Sequence, residues 1–170
     1  MNEYDSSRMA DLLEVTHGYE RVADPEQADM VLLNTCSVRD HAEHRVISRI
    51  GELRSRRAAA GEPPAILGVC GCMAERMGSA LLSKGQKVDL VAGVDQYDRL
   101  PELLRDLLAD REPASRSAVG HRDDLHYVAP PELYPANNSH LVTIHKGCDY
   151  KCTYCVVPAT RGPQREKAPE

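Results

Sequence analysis

Apolar positions in the first two thirds of the chain recur in two alternating patterns, helical spacing and short continuous runs. Met9, Leu12, Leu13 and Val15 fall on one face of a helix that Asp5 or Ser6 would cap, running to about Thr16 with Gly18 just past its end. Asp29 precedes Met30-Val31-Leu32-Leu33, an uninterrupted apolar run that reads as a buried strand ending at Asn34-Thr35-Cys36. A second helix is predicted from about Asp40 to Ala60, terminated by Gly61 and the Pro63-Pro64 pair. Ala65-Ile66-Leu67-Gly68-Val69 is the next strand and closes on Cys70-Gly71-Cys72. A helix near 74–83, a strand at 88–92 and a helix over about 96–110 complete the series. Strands alternating with helices imply an α/β fold, a mostly parallel sheet with helices on both faces. That order wants a strand ahead of the first helix, yet Met1 opens almost directly onto it, so the pattern reads as lacking its first strand.

The periodicity fails after residue 110, where Pro113, Pro130, Pro131 and Pro135 punctuate a polar stretch. Residues 111–138 are expected to be a linker with one short strand around 125–128. Leu141-Val142-Thr143-Ile144 then reads as a strand, followed at once by Gly147-Cys148. The expected organisation is an α/β domain over 1–110, the linker, and the start of a second domain over 139–170, too short to be completed. No internal repeat is found.

Composition narrows the function classes. Hydrophobic residues at 42% and charged residues at 28% of 170 residues describe a folded globular chain. Phe and Trp are absent, so the core must be built from aliphatic residues, and stacking platforms for single-stranded nucleic acid are scarce. With 26 acidic against 21 basic residues the whole chain is not an electrostatic nucleic-acid binder. Local basic clusters at Arg54, Arg56 and Arg57, and at Arg161, Arg165 and Lys167, are either phosphate contacts or solvated faces. No basic flank and apolar run opens the chain, and no stretch approaches the roughly 18 to 20 apolar residues of a membrane span, so a cytoplasmic protein is expected.

In a reducing cytosol, spaced cysteines are metal ligands or catalytic groups more readily than disulfides. Six are present: Cys36, Cys70 and Cys72, then Cys148, Cys152 and Cys155. The second set has C-x3-C-x2-C spacing directly after a strand, and three thiolates on one short loop can hold three corners of a [4Fe–4S] cubane, leaving one iron open. Cysteine-only zinc sites favour two C-x2-C pairs, a pattern missing here. Cys36 and Cys72 each follow the carboxyl end of a predicted parallel strand, where open α/β sheets gather their ligand sites. Cys70 falls within its strand and reads as a small buried apolar residue.

The loop GCDYKCTYCVVPATRG resembles the cluster loop of the radical S-adenosylmethionine (SAM) enzymes, and more narrowly that of the methylthiotransferases. MNEYDSSRMADLL, NTCSVRDHAEHRV and GVCGCMAER resemble three blocks of the amino-terminal methylthiotransferase domain, in the branch that thiomethylates isopentenyl-adenosine of tRNA. The resemblance implies a [4Fe–4S] cluster on Cys148, Cys152 and Cys155 whose open iron binds SAM, with Tyr154 against its adenine. It also implies a second [4Fe–4S] cluster involving Cys36 and Cys72, a tRNA substrate, an electron donor such as a flavodoxin or ferredoxin, and the first strand of a radical SAM (β/α) barrel. The family's first cysteine belongs to a block reading YGCQMNEYDS and would fall just before Met1, so two of three auxiliary ligands are present unless Cys70 substitutes. The chain alone is then expected to be inactive. Three other readings share the pattern: a sister methylthiotransferase acting on threonylcarbamoyladenosine or a ribosomal protein, a non-catalytic iron–sulfur or zinc-binding fragment, and a pseudo-enzyme completed by a partner subunit.

Overall fold

The protein is described by a computed structural model covering residues 2–37, 40–83, 85, 87–110, 116–123 and 143–166. Helix α1 spans Asn2–His17, strand β1 Met30–Thr35, α2 Asp40–Ala60, β2 Ile66–Gly71 and α3 Cys72–Met77, which continues as a 3-10 helix over Gly78–Leu82. Strand β3 is Leu90–Ala92, and a 3-10 turn at Tyr97–Arg99 leads into α4 over Leu100–Leu108. Four strands form one parallel sheet in the order β1-β2-β3-β4, where β4 is Ser117–Ala118. The α/β expectation is therefore met, and the span expected to be linker contributes the fourth strand, β4, by pairing with Val91 and Ala92. The strand expected at 125–128 lies outside the described residues.

Strand alternation sends neighbouring side chains to opposite faces, so the sheet has two cores. Cys70, Leu90 and Ala92 pack with Met9 and Leu13 of α1 and Leu100, Leu103 and Leu104 of α4. Leu67, Val69 and Val91 pack with Ile50 and Leu53 of α2 and with Met73 and Leu81. Aliphatic residues thus fill both faces, as the absence of Phe and Trp requires; among the described residues one aromatic, Tyr97, is buried, in the first core.

Two expected boundaries move. The first helix begins at Asn2, so Asp5 and Ser6 are helical residues and not caps; Asp5 is buried, and Ser6 Oγ accepts a hydrogen bond from Asn34 Nδ2 at 3.0 Å. Val15 is 52% exposed and leaves the apolar face to Met9 and Leu13. Near the carboxyl end the ordered strand is β5, His145–Lys146, whereas Thr143 and Ile144 precede it and Leu141 and Val142 lie outside the described residues. β5 pairs antiparallel with β6, Arg165–Glu166. The expected first strand of a parallel barrel is, among the described residues, one side of a short hairpin enclosing the cysteine loop and α5, Val157–Arg161.

The first basic cluster is structural. Arg57 is buried and donates to the carbonyls of Glu26, Ala28 and Pro63. Arg54 reaches Asp89 at 2.5 Å and the Ala65 carbonyl at 2.8 Å, and Arg56 pairs with Glu26 and Glu52. These side chains tie α2 to the strand entrances and take the place of the phosphate contacts considered above.

Candidate metal centres

Thr35 and Gly71 face each other as the last register-matched pair of β1 and β2, so Cys36 and Cys72 are the first residues past the ends of two adjacent strands. Gly71 makes the sharp exit possible. It holds φ +88°, and a Cβ there would meet Asn34 Oδ1 at 2.5 Å and the Thr35 carbonyl oxygen at 2.8 Å. The chain turns at once into α3, with Cys72 buried and Cys36 half-buried. Cys70 points the other way into the α1/α4 core, fully buried, and burial pushes its thiol up to about 12.

Three further side chains close this crevice. Arg161, at the end of α5, is buried and places Nη2 3.2 Å from Asp5 Oδ2. It also hydrogen-bonds toward Cys72: burial alone would lower its pKa, but Cys72, Asp5 and Tyr97 together hold it above the ordinary value. The Tyr97 hydroxyl is buried without a hydrogen-bond partner, and burial, with Asp5 nearby, drives its pKa well above the usual phenol range. Two thiols, a guanidinium and an unsatisfied phenol are a donor set suited to a sulfur-rich group that accepts hydrogen bonds.

Deeper in α3, Glu75 Oε1 accepts from the Gly120 amide at 2.7 Å and its other oxygen lies against Gly93, linking α3 to the exits of β3 and β4. Burial raises its pKa, partly offset by the Gly120 amide.

Cys148, Cys152 and Cys155 share the loop between β5 and α5, with Cys148 and Cys155 half-buried and Cys152 exposed. The loop is pinned at its base. Gly147 has φ +76°, and a Cβ there would lie 1.9 Å from the Pro163 carbonyl oxygen, while Cys148 N donates to the Gly162 carbonyl at 3.1 Å. Cys155 N donates to the Cys152 carbonyl at 3.1 Å, and Asp149 accepts from Gln164 N at 2.8 Å. All three thiols thus lie on one short loop, but among the described residues no three His, Cys, Asp or Glu side chains converge as a metal site. Their chemistry, three soft ligands none of them fully buried, fits an iron–sulfur cluster. The Tyr154 ring is 91% exposed, open to stacking and not packed on the protein.

A cavity of about 710 Å³ lies between α1 and the outer edge of β1 and is lined by Met9, Leu13, Tyr19, Met30 and Leu32; no cysteine borders it. Chemistry, not cavity size, marks the site. The cysteines are legible from spacing, while Asp5 and Tyr97 carry no spacing signal; the one sequence feature that could single out Tyr97 is its position just past β3, at the carboxyl end of the sheet.

Residues 1–93 match the family described as "Uncharacterized protein family UPF0004". The chain belongs to that family. It is 42% identical over 163 residues to the tRNA-2-methylthio-N(6)-dimethylallyladenosine synthase of Xanthomonas axonopodis pv. citri (strain 306), covering 95% of this chain and 33% of the relative. The proteins of the same description from Acidithiobacillus ferrooxidans (strain ATCC 53993 / BNL-5-31) and Salmonella arizonae (strain ATCC BAA-731 / CDC346-86 / RSK2980) are 43% and 40% identical, again over 95% of this chain and 35% and 33% of theirs. The chain therefore spans about a third of the length of these curated relatives. A match over 163 of 170 residues includes both cysteine sets, so the likeness to these relatives extends beyond the 93 residues of the family model. Among the described residues no helix of this UPF0004 member is long and apolar enough to cross a membrane.

Proposed function

We propose that the chain supplies the sulfur-handling domain and the cluster loop of a tRNA methylthiotransferase, acting at C2 of N6-isopentenyladenosine by radical SAM chemistry. The observation that carries this reading is the continuous likeness to synthases of that description across both cysteine sets. Cys148, Cys152 and Cys155 would hold one [4Fe–4S] cluster, and Cys36 and Cys72 would contribute to a second. When bound, such a cluster with an open iron supplies one-electron cleavage of SAM.

The chain's own residues have definable parts. The Tyr154 ring offers a face for an adenine, exposed as it is beside Cys155. Gly147 and the β5–β6 hairpin hold the two ends of the segment that carries the three thiols together. Asp5, Arg161 and Tyr97 seal the crevice behind Cys72 from water, and the Tyr97 hydroxyl is free to donate to a sulfur atom placed there. Cys70, sequestered in the core, is no substitute for a third ligand. The cytoplasm, and an electron donor such as a flavodoxin or ferredoxin, belong to the same reading.

Anaerobic reconstitution with iron and sulfide, followed by metal and acid-labile sulfide analysis, tests it. Iron and sulfide that fall on Cys152→Ala are expected; stoichiometric zinc without sulfide would favour a zinc-binding fragment instead.

A further inference from the structure

We propose that Asp95 and Asp5 are positioning residues, two buried carboxylates of the α/β domain that receive the cations flanking the second cysteine set and so fix that loop against the crevice of Cys36 and Cys72. Lys146 ends β5 immediately before Gly147, and Arg165 opens β6. The ladder register sets these two cations side by side, which is repulsive unless an anion lies between them. Asp95 is that anion, with Lys146 Nζ 3.4 Å from Oδ1 and Arg165 Nη1 2.7 Å from Oδ2. Its side chain is 4% exposed, and those of Lys146 and Arg165 are 12% and 9%. The Arg122 amide donates to Oδ2 at 3.3 Å and His121 Nδ1 lies 3.8 Å away, so the carboxylate is fully engaged.

Asp95 sits three residues past β3, at the carboxyl end of the sheet that also carries Cys36 and Cys72. The second receptor is 90 positions earlier in the chain, where Asp5 takes Arg161 from α5, a helix packed on α3 and hence on the element that Cys72 opens. Every element bounding the cysteine loop therefore presents a cation to a carboxylate of the α/β domain. Its consequence for chemistry, two cluster sites held at a set separation, rests on the reading proposed above; the docking itself does not need iron.

Hydrogen exchange read by mass spectrometry on the iron-free chain tests the docking. Asp95→Asn should speed exchange of residues 143–166 by roughly 100-fold, the scale of removing one partner from a buried ion pair, while β1 to β3 keep their protection. The double variant Lys146→Met/Arg165→Gln, which leaves the α/β domain untouched, should give the same pattern, and Asp95→Glu, which keeps the charge, should restore most of the protection. Unchanged exchange in Asp95→Asn, loss of protection throughout the sheet in both variants, or no restoration by Glu would each overturn the proposal. Iron content is measured separately on reconstituted samples, so a failure of the cluster reading is distinguished from a failure of docking.

Discussion

Cys70 and Cys72 differ by two positions and have opposite chemistry, because one points into an aliphatic core and the other opens a helix at the crevice. Maleimide labelling of the folded, iron-free chain should modify the exposed Cys152 first and leave Cys70 untouched until denaturant is added. Early labelling of Cys70 would mean that its strand end is open. On reconstitution, Cys70→Ala should leave iron content nearly unchanged, whereas Cys36→Ala or Cys72→Ala should lower it; equal losses would return Cys70 to the ligand set. Glu75 invites a pH experiment. Its pKa is raised by burial, so its contribution to stability is full below the ordinary carboxylate value of 4.5 and is lost as pH rises through the folded value. Glu75→Gln keeps an acceptor for the Gly120 amide and removes the buried charge, so its urea stability relative to wild type should improve between pH 4.5 and 7.

At the scale of elements, Gly71 is an exacting position, because a side chain there meets both a left-handed backbone and the end of β1. Gly71→Ala should cost about 2 kcal/mol or more in chemical denaturation and displace Cys72 relative to Cys36. Wild-type stability in that variant would show that the β2 exit tolerates another path. The legible elements are those with a strong period. β1, α2 and β2 lie within a few residues of their predicted bounds, because an apolar run or a helical stripe is visible over four or more residues. β4 was hidden because two residues, Ser117 and Ala118, have no period and become a strand only by pairing with β3. Of the β-branched run at 141–144, residues 141 and 142 lie outside the described residues and Thr143 and Ile144 precede β5, whose two residues are a strand by pairing with β6 and carry no period of their own. Asp5 resembled a cap because acidic residues favour first turns, yet its partner lies at position 161, beyond any local rule. For the candidate site, the thiols were readable from spacing, while the carboxylates and the phenol around them act only through residues brought together by folding.

At the scale of the whole molecule, the chain covers about a third of the length of its curated relatives and holds both cysteine sets. On the proposed function, reconstituted chain incubated with dithionite, SAM and isopentenylated tRNA is expected to yield no methylthiolated nucleoside, since among the described residues the short β5–β6 hairpin around the cysteine loop offers little enclosure for SAM. Coupled formation of 5′-deoxyadenosine and the methylthio product by this chain would refute that expectation. The pairing of Asp5 with Arg161 has a kinetic side. The two residues are 156 positions apart, so during synthesis the helix carrying Asp5 leaves the ribosome long before its partner exists. Until then the carboxylate stays hydrated, while Met9 and Leu13 of the same helix can already pack on the sheet. Closing so long a loop is slow relative to local helix and strand formation. Refolding should accordingly show an early phase that buries the two aliphatic cores and a late phase that seats the cysteine loop, the last contact made by one of the first residues translated.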